Sequence, residues 1–271
     1  VPLHHMPSCY PLTFRVSLEH KGQSKLVATA RGLTVRIGLL YNRDIYANVA
    51  LNALLPGLSK HHELALFYSE RVGVAKQRDP RLDALIIKET CFMPPSGHTF
   101  AELAYQAQSP EIGVTNINTD QHNLIEDFEP DLLVSIRFGQ ILHEQTIQLA
   151  RLGVINLHSG LLPEYKGVMA SFWSMMNSEK NLGTTLHWVT NRKIDTGHVI
   201  STRSQRVQTD LSYMNQVLSL YGPGVEQIRD AIENIERLAV TPRPDLPRGR
   251  YYSFPSTKEI DRFESAGWHL F

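Results

Sequence analysis

The segment Gly153–His158, with the sequence Gly-Val-Ile-Asn-Leu-His, constrains the fold of this chain more than any other feature. It is apolar and β-branched, and a loop that contains Gly160, Pro163 and Gly167 follows it at once. An apolar run of this length is typical of a strand that is covered on both faces, as in a parallel sheet. We therefore predict a buried strand whose last residues open onto a crevice.

The preceding sequence alternates between strand and helix patterns, as a parallel sheet requires. Strands are predicted at residues 35–41, 63–69, 113–118 and 132–136, and helices at 46–55, 80–88, 100–107, 120–126 and 144–151. Strands that alternate with helices are joined by right-handed crossovers. The pattern predicts an α/β fold with a doubly wound, mostly parallel, Rossmann-like sheet, in which ligands bind beyond the carboxyl ends of the strands.

The two ends of the chain flank this core. Residues 1–33 are predicted to be an N-terminal extension with the alternating pattern of a hairpin, and residues 34–271 to form the main domain. Amphipathic helices are predicted at 211–220 and 225–237, separated by Gly222-Pro223-Gly224. An aromatic tail at 251–255 is interpreted as an extended segment packed on the body, with a contribution to a ligand pocket or a dimer contact as the alternative.

Composition narrows the class of protein further. The chain has 271 residues, 42% of them hydrophobic, and a formal net charge of +0, which suits one globular core and argues against a long nucleic-acid footprint. Cys9 and Cys91 form no disulfide framework, and we expect a reducing, cytoplasmic setting. No apolar run approaches the length of a membrane span, and His4-His5 and His61-His62 lack the spacing of a metal site. We expect no metal and no membrane partner.

Asn156 and His158 are the first candidates for catalysis. Side chains two residues apart on a strand share a face, so these two point together while Leu157 turns into the core. An amide N–H beside an imidazole N–H suits an oxygen that gains negative charge, as in an oxyanion hole. Taken singly, each residue has a structural explanation, as a turn-forming Asn or a packed His. The loop that follows them and the later Asp195-Thr196-Gly197 favour a catalytic site.

These motifs resemble the folate-dependent formyltransferases, a family that includes glycinamide ribonucleotide, methionyl-tRNA, amino-sugar and hydroxyornithine formyltransferases. The family pattern is Asn-x-His, Leu-Leu-Pro, an aromatic, a basic residue and Gly, then Gly-x-Thr-x-His, then Asp-x-Gly. The resemblance extends from about Val35 to Ser201, and Gly160 stands where many members carry Ser. The matching residues are Asn156, His158, Leu161, Leu162, Pro163, Tyr165, Lys166, Gly167, Gly183, Thr185, His187, Asp195 and Gly197.

The resemblance implies a formyl transfer with 10-formyltetrahydrofolate as co-substrate. Asn156 and His158 would donate to the oxyanion, and Asp195 would orient His158 and take the amine proton directly or through a water. His187 is expected to have a supporting or substrate-side role. The residues implied to hold the folate are Arg137, Phe138, Gly139, Gln140, Ile141, Leu142 and Ile194.

The implied acceptor is the amine of a small molecule, such as an amino sugar nucleotide or a hydroxyornithine-type precursor. The turn Asn42-Arg43-Asp44 lacks the glycine with which glycinamide ribonucleotide enzymes hold the substrate phosphate. Members that act on initiator tRNA carry a C-terminal barrel, for which too few residues follow Asp195, so a nucleic-acid partner is disfavoured. The alternatives are a formyltetrahydrofolate hydrolase, a methionyl-tRNA formyltransferase-like protein without the barrel, and a non-catalytic folate-binding protein. A homodimer through the C-terminal helices is a further expectation.

Overall fold

The computed structural model describes residues 34–70, 78–91 and 97–271, and the hairpin expected within residues 1–33 lies outside these ranges. The elements in chain order are β1 Arg36–Tyr41, α1 Ile45–Leu58, β2 Glu63–Ser69, α2 Pro80–Cys91, α3 Phe100–Gln106, β3 Glu111–Val114, α4 His122–Phe128, β4 Leu132–Ile136, α5 Glu144–Ile147, β5 Gly153–His158, β6 Tyr165–Gly167, α6 Ala170–Met176, β7 Asn181–Trp188, β8 Val199–Arg206, α7 Tyr213–Ser219, α8 Tyr221–Glu233, α9 Ile235–Val240, β9 Arg250–Tyr252 and α10 Thr257–Ser265.

A seven-stranded sheet organises the molecule, with the strand order β3-β2-β1-β4-β5-β7-β8. Strands β3, β2, β1, β4 and β5 pair in parallel, whereas β7 and β8 are antiparallel. This confirms the predicted α/β fold with a doubly wound, mostly parallel sheet. The strand order reverses between β1 and β4, and a sheet of this kind opens a crevice beyond the carboxyl ends of its strands at such a point.

The core lies on both faces of the parallel strands, which explains their apolar composition. Leu39 of β1, Val134 of β4 and Ile155 of β5 are completely buried. Helix α8 approaches the sheet closely at Gly224, where an added Cβ would lie 2.9 Å from the side chain of Leu157. The inward turn of Leu157 leaves its neighbours Asn156 and His158 on the opposite side of β5, as the alternation of a strand requires.

The predicted break at Gly222-Pro223-Gly224 was wrong, because these residues lie in the first turn of α8. A proline is tolerated in the first turn of a helix, where its missing N–H would have no partner within the helix. The helices separate at Leu220 instead. Strand β3 also begins two residues before its predicted start, at Glu111, and the chain after Val114 turns so that the Gln121 side chain accepts hydrogen bonds from Thr115 and Asn116.

A second, two-stranded sheet joins β6 of the loop after β5 to β9 of the aromatic tail. The strands are parallel, with Tyr165 opposite Arg250 and Gly167 opposite Tyr252. The tail therefore packs on the body as an extended segment. None of the helices in the described ranges is long and apolar enough to cross a membrane.

Candidate active site

A cleft of about 720 Å³ lies beyond the carboxyl ends of β1, β4 and β5. Every residue that the sequence predicted to belong to the site lines this cleft. The set comprises Asn156, His158, Asp195, Arg137, Phe138, Gly139, Gln140, Ile141, Leu142 and Ile194. The structure thus brings residues from three separate segments of the chain to one cavity.

His158 is held at both ring nitrogens. Its Nε2 lies 2.7 Å from the carbonyl oxygen of Tyr165, and its Nδ1 lies 3.5 Å from Oδ2 of Asp195. A carbonyl oxygen only accepts hydrogen bonds, so Nε2 carries a hydrogen. The ring N–H therefore points at the loop backbone, and His158 must exchange the Tyr165 carbonyl for a ligand oxygen if it is to donate to that oxygen.

Asn156 contacts His187, which lies opposite it in the antiparallel pairing of β5 with β7. The Asn156 Nδ2 lies 3.1 Å from His187 Nε2, and one of its two hydrogens remains for another acceptor. His187 Nε2 also lies 3.3 Å from Oδ1 of Asp195, and its Nδ1 lies 2.9 Å from the Trp188 carbonyl oxygen. His187 thus touches both an expected catalytic amide and the expected catalytic carboxylate.

Asp195 lies at the centre of this group, in the loop between β7 and β8. Its backbone adopts a left-handed conformation with a φ of 53°, and the Gly167 N–H donates to its Oδ2 at 2.8 Å. Burial acts to raise the pKa of the Asp195 carboxyl, but His158, His187 and the Gly167 N–H together lower this pKa to about 2. The carboxylate is therefore ionised throughout the neutral pH range.

His158, His187 and Asp195, which we call the Asp195 cluster, are arranged with one carboxylate between two imidazoles. In each imidazole one nitrogen faces a backbone carbonyl and the other faces the carboxylate. A neutral imidazole holds one hydrogen, so the nitrogen that faces Asp195 then presents a lone pair to a negative charge. A proton added on either ring would lie between that ring and the carboxylate, and the carboxylate stabilises the resulting cation.

The contact of His187 with this cluster is what sequence reasoning missed. The motif Gly-x-Thr-x-His contained the signal, but the contact depends on the pairing of β5 with β7, which the motif does not specify. Thr185 of the same motif holds the loop after β5, because its hydroxyl donates to the Gly160 carbonyl at 2.7 Å and accepts from the Leu162 N–H at 3.1 Å.

Gly160 has a steric explanation. A Cβ at this position would lie 2.4 Å from the Ala170 Cβ and 2.6 Å from the His158 Nε2. Real Cβ atoms essentially never approach other atoms so closely. The Ser that many family members carry here would therefore require a shift of this loop or of the His158 ring.

The segment after β4 uses its polar side chains within the protein. The Gln140 side chain accepts from the Ile117 N–H at 2.9 Å and donates to the Val114 carbonyl at 2.8 Å. The Gly139 N–H donates to the Ser69 hydroxyl at 3.0 Å. The apolar side chains of Ile141 and Ile194 are 50% and 37% exposed at the cleft, which leaves an apolar surface for a flat ring.

Arg137 belongs to a second ionic group in the cleft. Its Nε donates to Oδ2 of Asp44 at 2.7 Å, and its Nη2 lies 3.4 Å from Oε2 of Glu89. Both carboxylates are buried, and Glu89 also accepts a hydrogen bond from the Tyr46 hydroxyl at 2.8 Å. Burial raises the pKa of Glu89, and Arg137 opposes that rise. We call Asp44, Glu89 and Arg137 the Arg137 cluster.

Asp44 also occupies the N-terminus of α1, where it accepts a hydrogen bond from the Ala47 N–H at 2.9 Å. A helix N-terminus attracts anions, and here the protein's own carboxylate fills that position. Among the described residues, no group of three or more His, Cys, Asp or Glu side chains is arranged to hold a metal ion.

The doubly wound sheet, with an amide, two imidazoles and a carboxylate at its carboxyl edge, defines a Rossmann-like protein with a candidate site in its cleft. Residues 101–218 match the family model described as Formyl transferase. The chain is therefore similar to formyl transferases over this segment, which carries Asn156, His158 and Asp195.

Individual relatives show the same similarity. The chain is 31% identical over 140 residues to a methionyl-tRNA formyltransferase of Enterococcus faecalis, an alignment that covers 51% of this chain and 44% of that protein. The chain thus spans less than half the length of this curated relative.

Solved structures share the fold at low sequence identity. A phosphoribosylglycinamide formyltransferase from Anaplasma phagocytophilum superposes with a TM-score of 0.57 at 16% identity, over 81% of this chain and 100% of that chain. An N-formyltransferase from Helicobacter canadensis, solved in complex with folinic acid and dTDP-3-aminofucose, gives a TM-score of 0.53 at 16% identity, over 84% of this chain and 72% of that chain.

Proposed function

We propose that this protein is an N-formyltransferase that moves a formyl group from 10-formyltetrahydrofolate to the amine of a small molecule. The observation that carries the proposal is the joint position of Asn156 and the Asp195 cluster on the wall of one cleft. The reaction needs donors for a tetrahedral oxyanion and a group that handles a proton, and these side chains supply both.

The folate would bind along the segment after β4. Phe138, Ile141 and Ile194 line the cleft with apolar surface, against which the rings of a folate could pack. The cofactor supplies the activated formyl group, and the protein positions it and stabilises charge. Because the Arg137 guanidinium pairs with Asp44 and Glu89, we assign Arg137 to the shape of the cleft rather than to a direct contact with the folate.

The chemical step follows from the site. A neutral amine attacks the formyl carbon, the carbonyl oxygen becomes an oxyanion, and the free N–H of Asn156 donates to it. His158 supplies the second donor once it leaves the Tyr165 carbonyl. The amine then loses a proton, the bond from the formyl carbon to the folate nitrogen breaks, and that nitrogen gains a proton.

Asp195 has a more limited part in this step than the resemblance implied. A carboxyl with a pKa of about 2 is a weak base at neutral pH, and a general base works best when its pKa is near the working pH. We assign Asp195 to orienting His158 and His187 and to stabilising the cation formed when either ring takes the proton. The imidazoles carry the proton itself.

The acceptor is proposed to be a small amine, such as an amino sugar nucleotide or a hydroxyornithine-type precursor. Asp44 fills the N-terminus of α1, which argues against an acceptor whose phosphate binds there. The Helicobacter canadensis N-formyltransferase was solved with an amino sugar nucleotide, and this supports an acceptor of that class. A formyltetrahydrofolate hydrolase, which passes the formyl group to water, is the second candidate, because the same donors would stabilise its oxyanion.

One assay separates these functions. Purified protein is incubated with 10-formyltetrahydrofolate and a panel of amino sugar nucleotides and hydroxylated diamino acids, and the release of tetrahydrofolate is followed with and without each amine. We expect release that depends on one class of amine and a formylated product detectable by mass spectrometry. Release at the same rate without any amine would identify a hydrolase instead.

The same assay tests the donors. Asn156→Ala and His158→Ala should each lower kcat about 100- to 1,000-fold, since each removes one oxyanion donor. Folate binding, measured by fluorescence titration, should be largely kept in both variants. Normal turnover in either variant would remove that residue from the mechanism.

A further inference from the structure

We infer that the C-terminal strand β9 is part of the active-site architecture, and that Tyr252 is a positioning residue which holds the loop after β5 in the conformation that orients His158 and Asp195 before the reaction. The inference rests on the proposed function, because it concerns the same site. It replaces the interpretation of the aromatic tail as an extended segment that merely packs on the body.

The loop after β5 fixes the catalytic groups through its backbone. The Tyr165 carbonyl accepts the hydrogen bond of His158, and the Gly167 N–H donates to Asp195. Both backbone groups belong to β6. A movement of β6 would therefore change the tautomer of His158 and the charge stabilisation of Asp195 together.

Strand β9 and the residues before it hold β6 along its length. The Val168 N–H donates to the Tyr252 carbonyl at 2.9 Å, and the Lys166 ammonium donates to the Pro247 carbonyl at 3.2 Å. The Leu246 N–H donates to the Thr196 carbonyl at 2.9 Å, directly after Asp195. The tail thus contacts both loops that carry the catalytic groups.

The Tyr252 side chain anchors this strand. Its ring stacks on Tyr165 with centroids 5.5 Å apart and on Trp173 with centroids 5.0 Å apart. The side-chain amide of Asn177 donates to the hydroxyls of both Tyr165 and Tyr252. Tyr252 is only 6% exposed, so its ring fills the space between the loop and α6.

Two glycines show how closely the backbones approach. A Cβ on Gly167 would lie 2.2 Å from the Tyr252 carbonyl oxygen, and one on Gly249 would lie 1.7 Å from the Pro163 carbonyl oxygen. Any side chain at either position would force β9 and the loop apart. Gly249 therefore offers a way to displace the strand without touching a catalytic residue.

The test uses the full chain and four variants. Tyr252→Ala removes the anchor, Gly249→Ala displaces the strand, and Tyr252→Phe keeps the ring but loses its hydroxyl. Phe263→Leu is the matched control, because Phe263 is fully buried and stacks on Phe172 at 4.5 Å, outside the group of residues that lines the cleft.

We expect kcat to fall about 100-fold in Tyr252→Ala and Gly249→Ala, as for a catalytic group that is misplaced by about 1 Å. The KM for 10-formyltetrahydrofolate should stay within a few-fold, because the segment after β4 does not contact β9 in any hydrogen bond of the described residues. Tyr252→Phe should retain most of kcat, and Phe263→Leu should lose thermal stability but not kcat.

A second readout does not need an acceptor. Long-range ¹⁵N–¹H spectra of the imidazoles should show His158 with its hydrogen fixed on Nε2 in the wild type, Tyr252→Phe and Phe263→Leu, and averaged between nitrogens in Tyr252→Ala and Gly249→Ala. An unchanged His158 signal in both displaced variants, or an equal loss of kcat in Phe263→Leu, would overturn the inference. If no amine supports turnover in the wild type, the proposed function fails, and the spectra still decide the position of His158.

Discussion

Two buried ionic clusters line the same cleft, and their partners differ in kind. The Asp195 cluster pairs one carboxylate with two imidazoles, whereas the Arg137 cluster pairs two carboxylates with one guanidinium. Asp195, Asp44 and Glu89 are all less than a tenth exposed, so burial alone does not distinguish them. The difference lies in whether the cationic partner can release its proton.

A guanidinium stays charged at every relevant pH, so the Arg137 cluster has a fixed arrangement of charge. An imidazole can exist with one or with two ring hydrogens, which gives the Asp195 cluster a way to exchange a proton with a reacting group. The comparison teaches that burial and charge alone do not mark a reactive carboxylate, and we propose that Asp195 takes part in the chemistry while Asp44 and Glu89 shape the cleft.

The largest expected effect comes from replacing Asp195 by its uncharged isostere. Asp195→Asn should lower kcat by about 100- to 10,000-fold, because neither imidazole then has an anion to stabilise its protonated form. The matched change Asp44→Asn in the Arg137 cluster should reduce stability and leave kcat of the folded protein within a few-fold. Steady-state kinetics under saturating 10-formyltetrahydrofolate measure both, and equal losses of kcat would break the comparison.

The next effect concerns stability. Arg137→Met should lower the free energy of unfolding by about 3 to 5 kcal/mol, because it leaves Asp44 and Glu89 buried without their cation. Arg151→Met is the control, since Arg151 pairs with Asp131 while its side chain is 55% exposed. That exposed pair should contribute no more than about 1 kcal/mol. Urea unfolding followed by circular dichroism gives both values, and similar losses in the two variants would contradict the fixed role of Arg137.

The strands were predictable from sequence where burial on both faces dictates their composition. Gly153–His158 and Glu63–Ser69 have the predicted bounds, because each has a run of apolar residues in its interior, Val154-Ile155 and Leu64–Phe67. The bounds of Glu111–Val114 were not predictable, since the strand begins with a Glu that pairs with Arg43. The sequence Gly222-Pro223-Gly224 predicted a break between helices, but a proline is tolerated in the first turn of a helix, and α8 begins just before it.

The site was predictable where its geometry is local and unpredictable where it depends on distant pairing. Asn156 and His158 share a face because they lie two residues apart on one strand, which sequence alone establishes. The contact of His187 with Asn156 depends on the register of β5 with β7. The pairing of Tyr252 with Gly167 joins segments far apart in the chain, and no local pattern in either one specifies the other.

The smallest expected effect is a difference in acid sensitivity between the clusters. The folded-state pKa of Asp195 is lowered from 3.8 to about 2, so its ionised form contributes stability above its unfolded pKa, and this contribution of about 2 kcal/mol is lost as the pH falls from about 4 to about 2. Burial raises the pKa of Glu89, so the contribution of Glu89 to the free energy of unfolding changes with pH in the opposite direction. It is present at low pH and is lost as the pH rises through the folded-state pKa.

Unfolding free energies of wild type, Asp195→Asn and Glu89→Gln between pH 2 and pH 6 separate the two contributions. In Asp195→Asn the free energy of unfolding should depend less steeply on pH below pH 4, because this variant has lost the carboxylate whose protonation destabilises the fold. In Glu89→Gln the free energy of unfolding should rise more steeply with pH than in the wild type, because the opposing contribution of Glu89 is then absent. If both variants keep the wild-type slope, the imidazoles do not stabilise the Asp195 carboxylate, and the distinction between the two clusters loses its electrostatic basis.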